Sequence, residues 1–134
     1  MTFHKLATAL VVSVMLTACA STPRAVRSEF EDIPVPRGLT YQHNDSTVIE
    51  TPNVKAGRHI YRGRLEPESL ASAIRNTLEA NGWRHVSSTK SSAIGTTQVY
   101  EKGGDSLQVR LWEGLWSWYT YAEYTTGRVM TRAK

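Results

Sequence analysis

The sequence predicts an α+β fold: a single small domain in which one helix packs on one face of an antiparallel β-sheet. Two observations carry this. One stretch, "PESLASAIRNTLEANG", repeats apolar residues at helical spacing, and after it "WRHVSST", "TTQVYEK", "SLQVRLWE" and "WSWYTYAEYTT" are rich in β-branched or aromatic residues and separated by turn formers. Extended segments before a helix and a meander after it give the helix stripe a sheet face to bury against.

The chain opens with a leader. After Lys5, "LATALVVSVMLTA" carries no charge. It is shorter than the roughly 20 apolar residues a membrane-spanning helix requires, and it fits the apolar region of a secretory signal peptide. The next residues, Leu16, Thr17, Ala18 and Cys19, resemble the lipobox of bacterial lipoproteins, in which a branched apolar residue stands three before an obligatory cysteine. That resemblance implies a diacylglyceryl group on the Cys19 thiol and cleavage before it. Residues 1–18 are then a signal peptide, 19–32 a lipidated flexible tether and 33–134 the domain. Ala20 and Ser21 follow the cysteine. In that family an aspartate there favours retention at the inner membrane, so the resemblance implies the periplasmic face of the outer membrane. Two or three acyl chains, at about 0.8 kcal/mol per buried methylene, anchor more firmly than one.

Cys19 is the only cysteine, so the domain has no thiol for a disulfide although the expected compartment would allow one. Packing must hold the fold. Loss of Lys5 with the leader leaves a mild positive excess out of the formal +4. The charges are scattered, and export excludes most nucleic-acid partners.

In chain order, "ASTPRAVRSEFED" is small, polar and charged and reads as the tether. "IPVPRGL" enters the domain extended, because Pro34 and Pro36 fix their own φ and disfavour helix in the residue before each. "STVIE" is a short strand between the turn-forming "HND" and Pro52. "RHIYRGRL" alternates, with Tyr61, Gly63 and Leu65 on one face and Arg58, Ile60, Arg62 and Arg64 on a basic outer face. In the helix, Pro67 suits the first position, and Glu66 and Glu68 favour the positive end of the dipole. Leu70, Ile74 and Leu78 form the apolar stripe, and Gly82 ends it in the left-handed conformation. In a Schellman ending Trp83 packs on Leu78, which makes this tryptophan a core residue and not a ligand contact. Ser91, Ser92 and Gly95, then Gly103 and Gly104, then Gly114 mark the loops of the meander.

The stretch "LWEGLWSWYTYAEY" concentrates three tryptophans and three tyrosines. Leu107, Val109 and Leu111 share the face that must meet the helix, while Gln108, Arg110 and Trp112 point the other way. A two-residue turn at Gly114 and Leu115 pairs Glu113 with Trp116. It sets Leu111 against Trp118, Val109 against Thr120 and Leu107 against Ala122, with Arg110 opposite Tyr119, Gln108 opposite Tyr121 and Trp112 opposite Ser117 outside. A three-residue loop inverts this, turning Tyr119 and Tyr121 inward and lining the outside with Trp112, Trp116 and Trp118. The two-residue turn is favoured because it buries Ala122 and leaves Glu123 in water. The outer strip is then Gln108, Arg110, Trp112, Tyr119 and Tyr121. Cross-strand aromatic pairs are worth roughly 0.2–1 kcal/mol to a sheet, so the strip has a purely structural reading. Its residue types are also those most enriched where partners bind.

Chemistry is not spelled out. His43, His59 and His85 lack metal-ligand spacing, and no "HExxH", "GxSxG" or phosphate-loop pattern occurs. Glu66 and Glu68 at a helix start, and Glu31 and Asp32 in the tether, read as capping and solvating charge. The expectation is a protein with no catalytic residues, no metal and no cofactor.

Finally, "IPVPRGL", "GRHIYRGRL", "PESLASAIRNTLEANGW" and "VYEKGGDSLQVRL" together resemble a group of small bacterial lipoproteins of unassigned function. A looser likeness of layout runs to the helix-over-sheet domains of outer-membrane assembly lipoproteins. The expectation is a lipid-anchored envelope module that binds another envelope protein through the strip. The alternative is a module for peptidoglycan or lipopolysaccharide glycan, with Trp112 stacked on a sugar and Arg110 on an anionic group.

Overall fold

A computed structural model describes residues 33–129. The expected signal peptide (1–18), Cys19, the tether (19–32) and residues 130–134 lie outside the described residues. What is described is one small domain, mostly strands, with an antiparallel sheet and one α-helix. No helix among the described residues is long and apolar enough to cross a membrane.

The strands are β1 (Thr40–Tyr41), β2 (Thr47–Glu50), β3 (Val54–Gly63), β4 (Arg84–Ser91), β5 (Gly95–Lys102), β6 (Asp105–Glu113) and β7 (Thr120–Val129), with α1 (Pro67–Ala80) between β3 and β4. The sheet has seven strands, more than the pattern alone implied. Its order is β1-β3-β7-β6-β5-β4, and β2 pairs with β3 beyond β1. Every pairing is antiparallel. β7, the last strand, inserts beside β3, so the helix crosses from one side of the sheet to the other.

Local rules place α1. The Glu66 carboxylate accepts from the backbone N–H of Glu68 and of Ser69, with Pro67 next to it. These bonds hold the Glu66 carboxyl below the ordinary value. At the other end Gly82 takes φ +84. The N–H of Trp83 donates to the Leu78 carbonyl at 3.0 Å and that of Gly82 to Glu79 at 3.1 Å, the two bonds of a Schellman ending. Trp83 is buried in the core, as its position predicted.

Leu70, Ile74 and Leu78 of α1 share one cluster with Tyr100, Leu107, Val109, Leu111, Ala122 and Tyr124 of the sheet and with Ile33. Gln98, also buried, bridges the two layers. It donates to the Ala71 carbonyl of α1 and accepts from the Tyr100 hydroxyl. The β5–β6 turn is Gly103-Gly104, both at positive φ, between the paired Lys102 and Asp105. β4 is an edge strand with a register shift between His85 and Ser87, which breaks its alternation.

The β6–β7 turn departs from the expected two residues. Glu113 pairs with Thr120, Leu111 with Ala122, Val109 with Tyr124 and Leu107 with Thr126. The cause is visible at Gly114, whose φ of −71 cannot open a type II′ turn. Its N–H instead donates to the Tyr119 carbonyl at 2.8 Å, closing a longer loop over 114–119. The pairing slips by four residues, an even number, so inward and outward faces are kept while every partner changes. Ala122 is buried as expected. Trp118, expected to face Leu111, is out in the loop at 70% exposure. Glu123, expected in water, is 7% exposed.

Candidate interaction surface

On the face opposite α1, even-numbered residues of β3 and β6 meet odd-numbered residues of β7. Arg58, Ile60 and Arg62 stand in register with Thr125, Glu123 and Tyr121. Across the other edge of β7, Gln108, Arg110 and Trp112 stand against the same three. The expected pairs Gln108–Tyr121 and Arg110–Tyr119 are therefore replaced by Gln108–Thr125 and Arg110–Glu123, and Trp112 faces Tyr121 instead of Ser117.

The two central rings, Trp112 and Tyr121, stack at 5.5 Å with planes 10° apart. The Arg110 guanidinium lies 4.8 Å from the Trp112 ring centre. From there the contacts run into an ion-pair group. Glu123 Oε2 accepts from Arg58 Nε at 2.9 Å and Nη2 at 2.7 Å, and from Arg110 Nη2 at 3.3 Å. Burial of this carboxylate is tolerated because two guanidiniums compensate its lost hydration.

Tyr119 reaches the same surface by another route. It sits in the loop, half-buried, with Arg62 at 4.9 Å and Arg64 at 5.3 Å from its ring centre. Arg64 Nη2 donates to its hydroxyl at 3.4 Å. That bond and the charge beside it hold the phenol below its ordinary 10. Arg62 links the two groups, since it stands opposite Tyr121 in the ladder.

Of the five expected strip residues, Arg110, Trp112 and Tyr121 are brought together. Tyr119 joins them through Arg62, and Gln108 is exposed further down β6 beside Thr125. Glu123, Arg58, Arg62 and Arg64 complete the surface. The alternation of "RHIYRGRL" had placed three arginines outside, but nothing local put β3 next to β7.

A groove of about 720 Å³ lies at the end of the sheet where α1 begins, lined by Glu66, Pro67, Lys90, Ile94, Trp112 and Glu113 among others. Of its charged groups, Glu66 caps α1, Lys90 pairs with Glu68 and Arg110 pairs with Glu123. Among the described residues no three His, Cys, Asp or Glu side chains gather as metal ligands would.

The fold and surface together define a small α+β domain with an aromatic and arginine face opposite its helix. No family model matches the sequence, and neither a curated protein nor a solved structure matches it.

Proposed function

We propose that this chain is a lipid-anchored envelope protein, held by Cys19 at the periplasmic face of the outer membrane, which works without catalysis by binding another envelope protein. The binding surface is the part of the sheet face that carries Arg58, Arg110, Trp112 and Tyr121. One observation supports it above others. The helix occupies one face of the sheet, while the opposite face presents a preorganised set of stacked rings and fixed guanidiniums. Rigid aromatics and arginines lose little side-chain freedom on association and suit the centre of an interface.

The glycan reading is weaker. The Trp112 ring already carries Tyr121 and Arg110, so a stacked sugar has to displace an existing partner. Photo-crosslinking in cells from positions 121 and 112 of the full chain tests the proposal. One reproducible envelope protein captured at both supports it. Capture of none, with the chain instead sedimenting with purified cell wall, replaces it by the glycan reading. Mass spectrometry of the mature amino terminus tests the anchor separately.

A further inference from the structure

The 114–119 loop carries a different message from the sheet face. Leu115, Trp116 and Trp118 are 88%, 81% and 70% exposed. They stand within one six-residue loop whose sequence, "GLWSWY", has no charge. Single exposed hydrophobes are ordinary, but a contiguous set of this kind marks a contact site. The loop is not loose, being clamped at its base by the Gly114–Tyr119 hydrogen bond. It holds Trp116 at φ +75, a conformation that disfavours a bulky side chain.

Two further observations concern the surroundings. Two basic groups, Arg62 and Arg64, contact the loop, both against Tyr119. Arg37, which is exposed, lies in the turn beside Gly38. The one carboxylate flanking the loop in sequence is Glu113 at its base. Residues 38 and 39 also lie at this end: Gly38 lies on Leu65, and Leu39 lies beside Gly63, which pairs with Thr120 at the end of the loop.

We propose that the 114–119 loop seats on an anionic lipid bilayer, with Leu115, Trp116 and Trp118 in the interfacial layer and Arg62 and Arg64 meeting headgroup phosphates. Tryptophan suits that layer because its ring is apolar and its N–H polar. Arginines at the base of the loop, against Tyr119, supply the charge complementarity that a neutral surface would not reward. The sheet strands then stand away from the bilayer, and the Trp112 and Tyr121 face looks sideways, open to a protein partner. This goes beyond the proposed function and does not rest on acylation of Cys19.

The test is tryptophan emission of the full chain with vesicles of phosphatidylethanolamine and phosphatidylglycerol whose acyl chains are brominated. Bromine quenches only indoles that reach the acyl boundary, so Trp83 in the core serves as an internal control. We expect strong quenching of the native chain. Most of it is lost in a Trp116→Ser, Trp118→Ser double variant, and it weakens in phosphatidylcholine vesicles or in an Arg62→Gln, Arg64→Gln variant. A chain that sediments with the vesicles but shows equal quenching in native and double-variant forms overturns the loop contact and leaves the anchor standing. A chain that does not sediment at all overturns the loop contact, whatever the mass of its amino terminus shows of the anchor. Crosslinking in cells from position 118 to a protein, with no quenching by bromolipid, shows that the loop docks on protein and also overturns the proposal.

Discussion

At position 116 a tryptophan occupies left-handed backbone space, φ +75, that β-carbon sterics make costly by roughly 1–2 kcal/mol. Its indole recovers little of that by packing, because it is 81% exposed. Asparagine tolerates the same backbone, so Trp116→Asn is expected to hold or raise stability, by up to about 1 kcal/mol, read as an unchanged or slightly higher Tm. A Tm several degrees lower means that the indole is supporting the loop and not merely displayed by it. Glu123 is the opposite case, a charged residue whose burial looks costly until its partners are counted. Truncation to alanine leaves Arg58 and Arg110 without their shared carboxylate. Both are partly solvated, at 47% and 37% side-chain exposure, so the cost falls below that of breaking a fully buried pair, at about 1–3 kcal/mol. Denaturant melts of Glu123→Ala, Arg58→Ala and the double variant check this. The double variant should lose less than the sum of the singles, and strict additivity means that the contact contributes nothing.

Among the elements, two glycines separate conformational strain from steric clash. Gly82 at the end of α1 and Gly95 at the start of β5 have nearly the same φ, +84 and +82. A β-carbon on Gly82 meets nothing nearer than Lys102 Cε at 3.6 Å, an ordinary contact, whereas one on Gly95 falls 1.9 Å from the Leu111 carbonyl oxygen. Gly82→Ala is expected to cost about 1 kcal/mol, the backbone term alone. Gly95→Ala must also move β5 off β6, and its midpoint in denaturant should fall by clearly more. Equal losses refute the distinction. The same contrast explains what could be read in advance. The Gly82-Trp83 ending was legible because its bonds run within six residues of one helix, and the inward face of β6 because strict alternation leaves no choice. The β6–β7 register was not, because the turn residue that takes positive φ is Trp116 and not Gly114, against all local preference. The burial of Glu123 depends on Arg58, 65 residues away, and the pairing of β3 with β7 that joins them has no local signature in either strand.

Taken as a whole, the molecule sorts its groups by face and by end, and its stability should report that sorting through pH. His59 lies on the inner side of β3, buried, opposite Tyr124 in the ladder, with its Nδ1 3.3 Å from the Tyr41 hydroxyl. Burial disfavours the imidazolium and pushes the His59 pKa below 6.5. The unfolded chain, with an ordinary histidine, takes up the proton first as pH falls, so proton uptake favours unfolding. The contribution of neutral His59 is therefore complete above pH 6.5, and is lost as pH drops through the depressed folded value. Glu66 acts in the same direction in a separate window. Its helix-capping bonds lower its carboxyl, so that part of the stability is kept until pH falls below the carboxylate range near 4.5. The expected profile of Tm from about pH 8 to about pH 3 thus has two descents, one beginning near neutrality and one in acid. His59→Gln should abolish the first and leave the second, while Glu66→Gln should soften only the second. If the native chain holds a constant Tm until the acid descent, the inner side of β3 admits water to His59 and the packing of Tyr41, His59, Tyr61 and Tyr124 is looser than their ring contacts indicate.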